Sequence, residues 1–297
     1  MKTISINGDE YKLPTRWNEL TTRQFMAISA LSLQPNPPAA IRTMALFSLL
    51  GLTVNQANER KIEGETCFYV SNGKKNYLLR TTDILYMCAP LNFMFSITEN
   101  KKGEEQYQFN SKLFRQLIPS IKIKNELFYG PDNALTNVLF KEFIRCETYF
   151  SQFLKDNKPF YADCLIATLY RSQKKDYNPE DTNFDGERRE PVNDFLIEKR
   201  AEKFVSINPV IRQAILFFYE GCKFFLTEKY PHVFDSGGSS GGKRQDTFEN
   251  YMRLVTMLAK NDATQTNAWL DTNLHAVMLA MDNARIEQEE IEKLYKK

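Results

Sequence analysis

Apolar side chains recur every three or four residues through most of the chain beyond about residue 111, and this spacing predicts α-helices. The clearest example spans residues 133–154, where one helical face carries Leu135, Leu139, Phe143, Cys146, Phe150 and Phe153. The same pattern predicts helices over about 159–171, 209–230, 246–260 and 265–296. Helices with one apolar face bury that face against one another. We therefore predict a mainly α protein with a helical, bundle-like core.

The N-terminal part of the chain carries a different signal. Alternating apolar and polar residues flank Asn7-Gly8 and, further on, Asn72-Gly73. Asn-Gly is a preferred pair in the two-residue turns of β-hairpins, because both positions accept a positive φ angle. The sequence therefore predicts a small α+β N-terminal part that contains two β-hairpins.

A run of Gly and Ser at residues 236–242 predicts a flexible linker. The run imitates a phosphate-binding loop, G-x-x-x-x-G-K, but Arg244 stands where such a loop needs a Ser or Thr hydroxyl for magnesium. Nucleotide binding is therefore disfavoured. The predicted regions are an α+β part at 1–110, a helical domain at 111–235, a Gly/Ser linker at 236–244 and a C-terminal helical region at 245–297.

The side-chain inventory argues against several classes of function. Lys and Arg total 39 against 37 Asp and Glu, which disfavours a protein whose main task is to neutralise nucleic acid. Only two histidines occur, His232 and His275, and both are expected to be structural. The five scattered cysteines form neither a disulfide framework nor a zinc motif and are expected to be buried thiols in a reducing cytoplasm. We predict no enzyme, no cofactor, no metal site and no membrane span.

Two sets of residues with carboxylate or amide side chains are candidates for chemistry. Asp181, Asn183 and Asp185, followed by Gly186, match the start of a calcium loop, but Val192 occupies the position of its bidentate Glu. A polar loop within the stretch 172–192 is favoured, and cation binding there stays open. Glu142 and Glu147 lie five residues apart on the helix predicted at 133–154, on different faces. They are expected to be salt-bridged or solvated acids.

The last predicted helix has an apolar face opposite a charged one. That face is a possible partner-binding surface, formed by Leu270, Leu274, Val277, Met281, Ala284 and Ile291. Such a stripe needs a partner surface, which either this chain or another polypeptide can supply.

Several segments together resemble proteins encoded among the tail genes of phages and prophages of gut bacteria. They are residues 13–21 (LPTRWNELT) with Gln24 and Phe25, 128–131 (FYGP), 140–143 (FKEF), 168–171 (TLYR) and 189–193 (REPVN). With the Gly/Ser linker and the helical C-terminal end, the chain is similar to tail assembly chaperones. That family implies a mainly helical, non-enzymatic protein that keeps the tape-measure protein soluble while tail-tube subunits polymerise around it.

The resemblance therefore implies that tail proteins, the tape measure and the tail tube, are partners in the cytoplasm of an infected or lysogenic bacterium. Two alternatives stay open: a structural connector or adaptor subunit of the virion, and a nucleic-acid-binding protein. The sequence does not predict the oligomeric state. A deep polar cavity with several ionisable groups aimed at one point would instead favour an enzyme.

Overall fold

The computed structural model describes residues 1–34, 38–99, 103, 105–182, 184–234 and 247–295. This described part is mainly helical, with short antiparallel sheets toward the N-terminus. The strands are β1 (Lys2–Ile6), β2 (Asp9–Leu13), β3 (Thr53–Ile62), β4 (Glu65–Ser71), β5 (Asn76–Arg80), β6 (Phe95–Glu99), β7 (Glu105–Phe109), β8 (Ser120–Ile123) and β9 (Glu126–Tyr129). The helices are α1 (Thr22–Ser32), α2 (Pro38–Leu50), α3 (Thr81–Cys88), α4 (Phe140–Asp156), α5 (Pro159–Leu169), α6 (Asp194–Phe204), α7 (Pro209–Lys229), α8 (Pro231–Phe234), α9 (Thr247–Leu258), α10 (Ala263–Leu270) and α11 (Leu274–Tyr295).

Both predicted hairpins are confirmed. Strands β1 and β2 pair with Ile6 opposite Asp9, and the turn between them places Asn7 and Gly8 at φ angles of 50° and 89°. Strands β4 and β5 pair across the second Asn-Gly turn, with β3 added on the other edge of β4. The hairpins β6–β7 and β8–β9 are additional to the prediction. The β8–β9 hairpin lies beyond residue 111, in the region expected to be helical, so the first α-helix of that region is α4.

The chain divides into two compact units. Unit 1 contains residues Met1–Leu113 and Pro209–Gly221, and unit 2 contains Phe114–Asn208 and Cys222–Lys297. The region 111–235, expected to be one helical domain, is thus shared between the units, because the first half of α7 packs into unit 1. The expected linker at 236–244 lies outside the described residues. The expected C-terminal region belongs to unit 2, where α9 packs against α4.

The core of unit 1 is aromatic. Trp17 is buried, and its ring centroid lies 6.0 Å from that of Phe217 on α7. Phe217 also contacts Phe109 at the end of β7, with 6.2 Å between centroids. Close packing of α7 also depends on Gly221, since a Cβ atom added there would lie 2.2 Å from the backbone oxygen of Leu113. The sequence from Pro209 to Gly221 thus completes the core of the N-terminal unit.

Unit 2 is built around α4 and the buried helix α5. Phe140 and Phe143 of α4 meet the ring of Tyr251 on α9 in edge-to-face contacts, with centroids 5.9 and 5.5 Å apart. Edge-to-face pairs of this kind stabilise a core beyond the area that they bury. The N-terminal end of α4 is fixed by the chain before α11, because the Phe140 N–H donates to the Thr272 carbonyl at 2.9 Å.

Two predicted helices are shorter than expected. The helix predicted at 133–154 begins at Phe140, because Ala134 and Leu135 adopt positive φ angles of 52° and 61° that a helix cannot contain. The helix predicted at 265–296 is interrupted after Leu270, and α11 begins anew at Leu274. Between them, Asn273 forms a β-bridge with Leu139, which holds the chain out of helical conformation.

Candidate functional site

Three charged side chains are buried together in unit 2. Glu142 lies on the first turn of α4, Arg171 lies two residues after the end of α5, and Arg189 lies further along the connection between α5 and α6. Their exposed fractions are 2%, 1% and 1%. Charged groups are almost never buried to this degree unless they are paired, because removal from water is costly. We call these three residues, with Glu187, the buried charge cluster.

The arginines of this cluster bind carboxylates and backbone carbonyls together. Arg171 donates from Nη2 to Glu142 Oε1 at 2.9 Å and from Nη1 to the Thr168 carbonyl at 2.7 Å. Arg189 grips the Glu187 carboxylate with Nε and Nη2, at 2.9 and 2.6 Å. Its remaining donors reach the carbonyls of Leu169 and Asn137, each at 2.9 Å. A guanidinium has its donors in a rigid plane, so these contacts fix the connection against α5 and the chain before α4.

Burial and pairing act in opposite directions on these groups. Burial lowers the pKa of Arg171, and the nearby charge of Glu142 partly offsets that effect. Burial is the largest single effect on the pKa of Arg189 and acts to lower it, but the hydrogen bonds to Glu187 and the charges of Glu142, Glu187 and Asp132 together outweigh burial and raise the pKa. For Glu187, burial is again the largest single effect and acts to raise the pKa, but the hydrogen bonds and charge of Arg189, together with the charge of Arg171, outweigh burial and lower the pKa. Arginine stays protonated at any ordinary pH, so the cluster is a network of paired charges.

A cavity of about 480 Å³ adjoins the cluster. Three acids line it, and each contacts a cation: Glu142 contacts Arg171, Glu187 contacts Arg189, and Asp185 contacts Lys174 at 2.5 Å. Two buried atoms, Oε2 of Glu142 and Nε of Arg171, have no hydrogen-bond partner. One acceptor and one donor are what a single buried water or a neutral amide would satisfy. The ionisable groups of this polar cavity are thus directed at one another in pairs.

Most of the segments that carry the family resemblance come together around this cluster. The backbones of Tyr129 and Arg171 pair, with N–H to carbonyl distances of 2.8 and 3.1 Å. Gly130 lies against the ring of Tyr170, where an added Cβ atom would lie 2.6 Å from a ring carbon. Arg188 stacks over Tyr129 at 3.7 Å. One structural role, packing around the buried charge cluster, is therefore shared by four segments that are far apart in the sequence: 128–131, 140–143, 168–171 and 189–193.

The connection held by the cluster ends in an exposed apolar surface. Phe195, in the first turn of α6, is 94% exposed. We call this surface, formed by Pro191, Val192, Phe195 and Leu196, the Phe195 platform. It borders an open depression of about 560 Å³. A fully exposed Phe next to other apolar residues is typical of an interaction surface.

The residues beside the platform are fixed by polar contacts. Arg200 donates to Glu190 at 2.7 Å and to the Ala167 carbonyl at 2.9 Å. The Asn193 side chain caps α6 by accepting from the Phe195 N–H at 3.0 Å. Asp194 forms an ion pair with Arg145 of α4 at 2.5 Å. Both ends of the platform are therefore anchored to neighbouring helices.

Sequence reasoning did not identify the Phe195 platform. A signal was present: the buried face of α6 carries Ile197, Ala201 and Phe204 at helical spacing, and Phe195 lies off that face. An apolar residue off the core face of a helix is a candidate for exposure. The partners of Arg171 and Arg189 had no such signal, because their contacts join residues far apart in the chain.

The predicted partner-binding face is divided by the structure. Leu274, Val277 and Met281 are buried inside this chain and cannot contact another molecule. Leu270 belongs to α10, off the line of α11, because of the break at residues 271–273. Ala284 and Ile291 are exposed. The prediction is therefore corrected: the first half of the face contributes to the core, and only its second half is available.

The two histidines and the acids on α4 are engaged within the fold. His275 Nε2 lies 2.8 Å from the Ala134 carbonyl, and Nδ1 lies 3.0 Å from the Tyr230 hydroxyl. Because a carbonyl can only accept, we assign the ring proton to Nε2, so that Nδ1 accepts from the Tyr230 hydroxyl. His232 lies 3.4 Å from Asp282. Glu142 forms a salt bridge with Arg171, and Glu147 forms one with Lys223 at 2.9 Å, which confirms the salt-bridged alternative of the prediction. Both acids are buried, so the solvated alternative is wrong.

The remaining sequence motifs give no assembled site. In the calcium-like loop, Asp185 pairs with Lys174, and Asn183 lies outside the described residues. The glycine run with Arg244 also lies outside them. Within the described ranges, no three His, Cys, Asp or Glu side chains are placed to share a metal ion. The cysteines in this part of the chain are free thiols, and all five are buried.

Comparison with known proteins adds no relative. No family model, no curated protein and no solved structure matches this chain. Among the described residues, no helix has both the length and the apolar character needed to cross a membrane. The buried charge cluster and the Phe195 platform are therefore the features of this fold that bear on function.

Proposed function

We propose that this protein is a non-enzymatic factor of phage tail morphogenesis that binds another polypeptide through the Phe195 platform. The observation that carries the proposal is the 94% exposure of Phe195 on an anchored surface. The resemblance to tail assembly chaperones supplies the process and the partner, the tape-measure protein. Under this proposal, the protein acts in the cytoplasm of the infected or lysogenic host.

Anchoring is what distinguishes this surface from a loosely exposed side chain. Ordering a mobile segment costs free energy at the moment of binding, and a surface that is already fixed avoids that cost. The buried charge cluster and the pair Arg200–Glu190 hold the connection before α6 in one conformation. The cluster thus has a positioning role: it presents Phe195 without itself contacting the partner.

The geometry also suits a polypeptide partner more than a small molecule. The depression beside Phe195 is open, and charged side chains, among them Lys141 and Asp194, share its lining with apolar ones. An aromatic anchor with a polar rim is the usual composition of protein interfaces. In the same proposal we retain a bundle-like helical core, which the packing of α4 against α5 and α9 supports.

The test is binding to tape-measure and tail-tube proteins produced together with this chain. Replacing Phe195 with Ser should weaken binding by at least about tenfold, because central aromatic anchors contribute most of the energy of an interface. Leu154→Ser is the matched control: Leu154 is 66% exposed on α4 and lies outside the platform. Equal binding by both variants, or no binding of any tail protein by the native chain, would contradict the proposal.

The alternatives predict different results. A structural connector or adaptor subunit is present at fixed stoichiometry in purified phage particles, whereas an assembly chaperone is missing from them. A nucleic-acid-binding protein binds DNA with an affinity that falls steeply with salt concentration. Mass spectrometry of particles and a DNA titration therefore distinguish the three functions.

A further inference from the structure

The last three turns of α11 extend beyond the part of the helix that unit 2 covers. From Asn283 onward the side chains are exposed, apart from Ile286, and Ile291 and Tyr295 are 53% and 88% exposed. Helical segments of this length have little stability of their own without tertiary packing. An occupant that covers these turns would therefore stabilise them.

The exposed turns continue the apolar repeat of the buried turns. The spacing of three and four residues runs through Leu274, Val277, Met281, Ala284, Gln288, Ile291 and Tyr295. Alternating spacings of three and four residues are typical of a coiled coil, in which successive apolar residues occupy the a and d positions of a seven-residue repeat. The first three members are buried in unit 2, and the last four face solvent. The exposed half is thus a coiled-coil face that no helix in the described part of the chain covers.

A shallow apolar groove lies at the base of the exposed turns, between α9 and α11. Met257 and Leu258 of α9 line it, together with Ala284 of α11. Met257 is 66% exposed, although it is large and apolar. The methyl side chain of Ala284 leaves room on the helix for a large side chain from an occupant.

We propose that the exposed half of α11 pairs with the same segment of a second copy of this chain, in antiparallel orientation. In the pairing that aligns both segments fully, Ala284 faces Tyr295 of the second copy, and Gln288 faces its Ile291. Each Tyr295 then enters the groove beside Met257 of the other copy. The largest exposed member of the repeat thereby meets the smallest, on both sides of a two-fold axis.

Charge complementarity selects this register. In an antiparallel coiled coil, the positions that flank the apolar seam face equivalent positions of the other helix: e faces e, and g faces g. In the proposed register, Arg285 lies opposite Glu292 of the second copy, and the two-fold axis repeats this pair. Both side chains are exposed, and Glu292 already accepts a hydrogen bond from Gln288 at 3.2 Å, which holds it toward the seam.

The competing arrangements bring like charges together. A shift of one heptad in either direction places Arg285 against Arg285 or Glu292 against Glu292. A parallel pair places Glu287 against Glu292 of the second copy, twice. Like charges at such positions destabilise a pair, so these arrangements are disfavoured.

Self-association of the full chain tests the proposal. The predicted interface is smaller than that of a standard stable complex, so sedimentation should show a monomer–dimer equilibrium between roughly 1 and 300 µM. Arg285→Glu and Glu292→Arg should each weaken dimerisation by about tenfold, since each turns two attractive pairs into repulsive ones. The double variant R285E/E292R should restore the native dissociation constant.

A control and a cross-link make the result specific. Glu289→Lys changes an exposed charge away from the seam and should leave dimerisation unchanged. A variant with both Ala284→Cys and Tyr295→Cys should form intermolecular disulfides, whereas neither single variant should, because identical positions are far apart in an antiparallel pair. A monomer at every concentration would overturn the proposal. A dimer that ignores the charge exchange, or cross-links in the single variants, would overturn it equally.

Discussion

At the scale of single residues, the most demanding feature of this fold is the burial of Glu142 between two arginines. Its carboxylate lies 2.9 Å from Arg171 and 3.7 Å from Arg189. Glu142→Gln keeps the shape of the side chain but removes its charge. The two buried guanidinium groups of Arg171 and Arg189 are then left with a single carboxylate, that of Glu187. We expect the free energy of unfolding to fall by roughly 3–5 kcal/mol, as for other buried pairs that lose one partner. Urea unfolding measures this loss.

The control for that variant is an exposed pair. Glu126 binds Lys203 at 2.6 Å, with both side chains about half exposed. Glu126→Gln should change the free energy of unfolding by no more than about 1 kcal/mol, because water screens an exposed pair. Similar losses in the two variants would mean that the buried charge cluster does not hold the connection before α6.

A second residue, His275, makes the stability of the protein depend on pH. Burial lowers the pKa of His275 below its ordinary value of 6.5, although the Ala134 carbonyl acts to raise it. The unfolded chain therefore takes up the proton at a higher pH than the folded chain does. This contribution to stability is complete above about pH 6.5 and is lost as the pH falls through 6.5 toward the folded pKa.

Unfolding measured across that pH range checks the expectation. The native chain should lose stability as the pH falls, and His275→Gln should lose less. Tyr230→Phe removes the hydrogen bond to Nδ1 but keeps the ring buried. Because burial is the largest cause of the shift, this variant should keep most of the pH dependence. A native profile identical to that of His275→Gln would refute the assignment.

At the scale of elements, α7 shows packing that outweighs helix propensity. Gly221 lies inside this helix, where Ala would ordinarily be favoured by about 1 kcal/mol. Here an added Cβ atom would meet the Leu113 backbone at 2.2 Å. We therefore expect Gly221→Ala to lower the free energy of unfolding by roughly 1–3 kcal/mol, as overpacked positions do. Thermal unfolding provides the measurement.

An exposed helical position supplies the comparison for Gly221. Ala276 on α11 is exposed, so Ala276→Gly should cost about 1 kcal/mol through propensity alone. If Gly221→Ala raised the melting temperature, the close approach of α7 to Leu113 would be wrong.

Elements whose signals are local were predictable from the sequence. The Asn7-Gly8 turn determines β1–β2, because it works through contacts within a few residues. The structure shows an equally local signal at the start of α1, where the side chains of Thr21 and Gln24 form a capping box. The start of α4 was not predictable, since the positive φ angles before it depend on distant partners. Phe114 accepts from the Ala134 N–H at 2.7 Å, a contact that no spacing along the sequence announces.

At the scale of the whole molecule, charge balance bears on what the protein binds. With 39 basic and 37 acidic residues, the chain lacks the excess charge that drives binding to a phosphate backbone. We expect no DNA binding tighter than roughly 1 µM at about 150 mM salt. Fluorescence anisotropy with single-stranded and double-stranded oligonucleotides measures this. Submicromolar binding that weakens steeply with salt would favour the nucleic-acid alternative.

The sequence by itself determined the mainly helical class, both Asn-Gly hairpins and the apolar repeat from Leu274 onward, because these follow from periodicity and from turns that close over a few residues. Only the tertiary structure decided that α7 contributes to both units, that Arg171 and Arg189 meet Glu142, and that half of the face on α11 is already covered. Contacts of this kind depend on how helices pack, and packing joins residues whose distance along the chain carries no information about their distance in space.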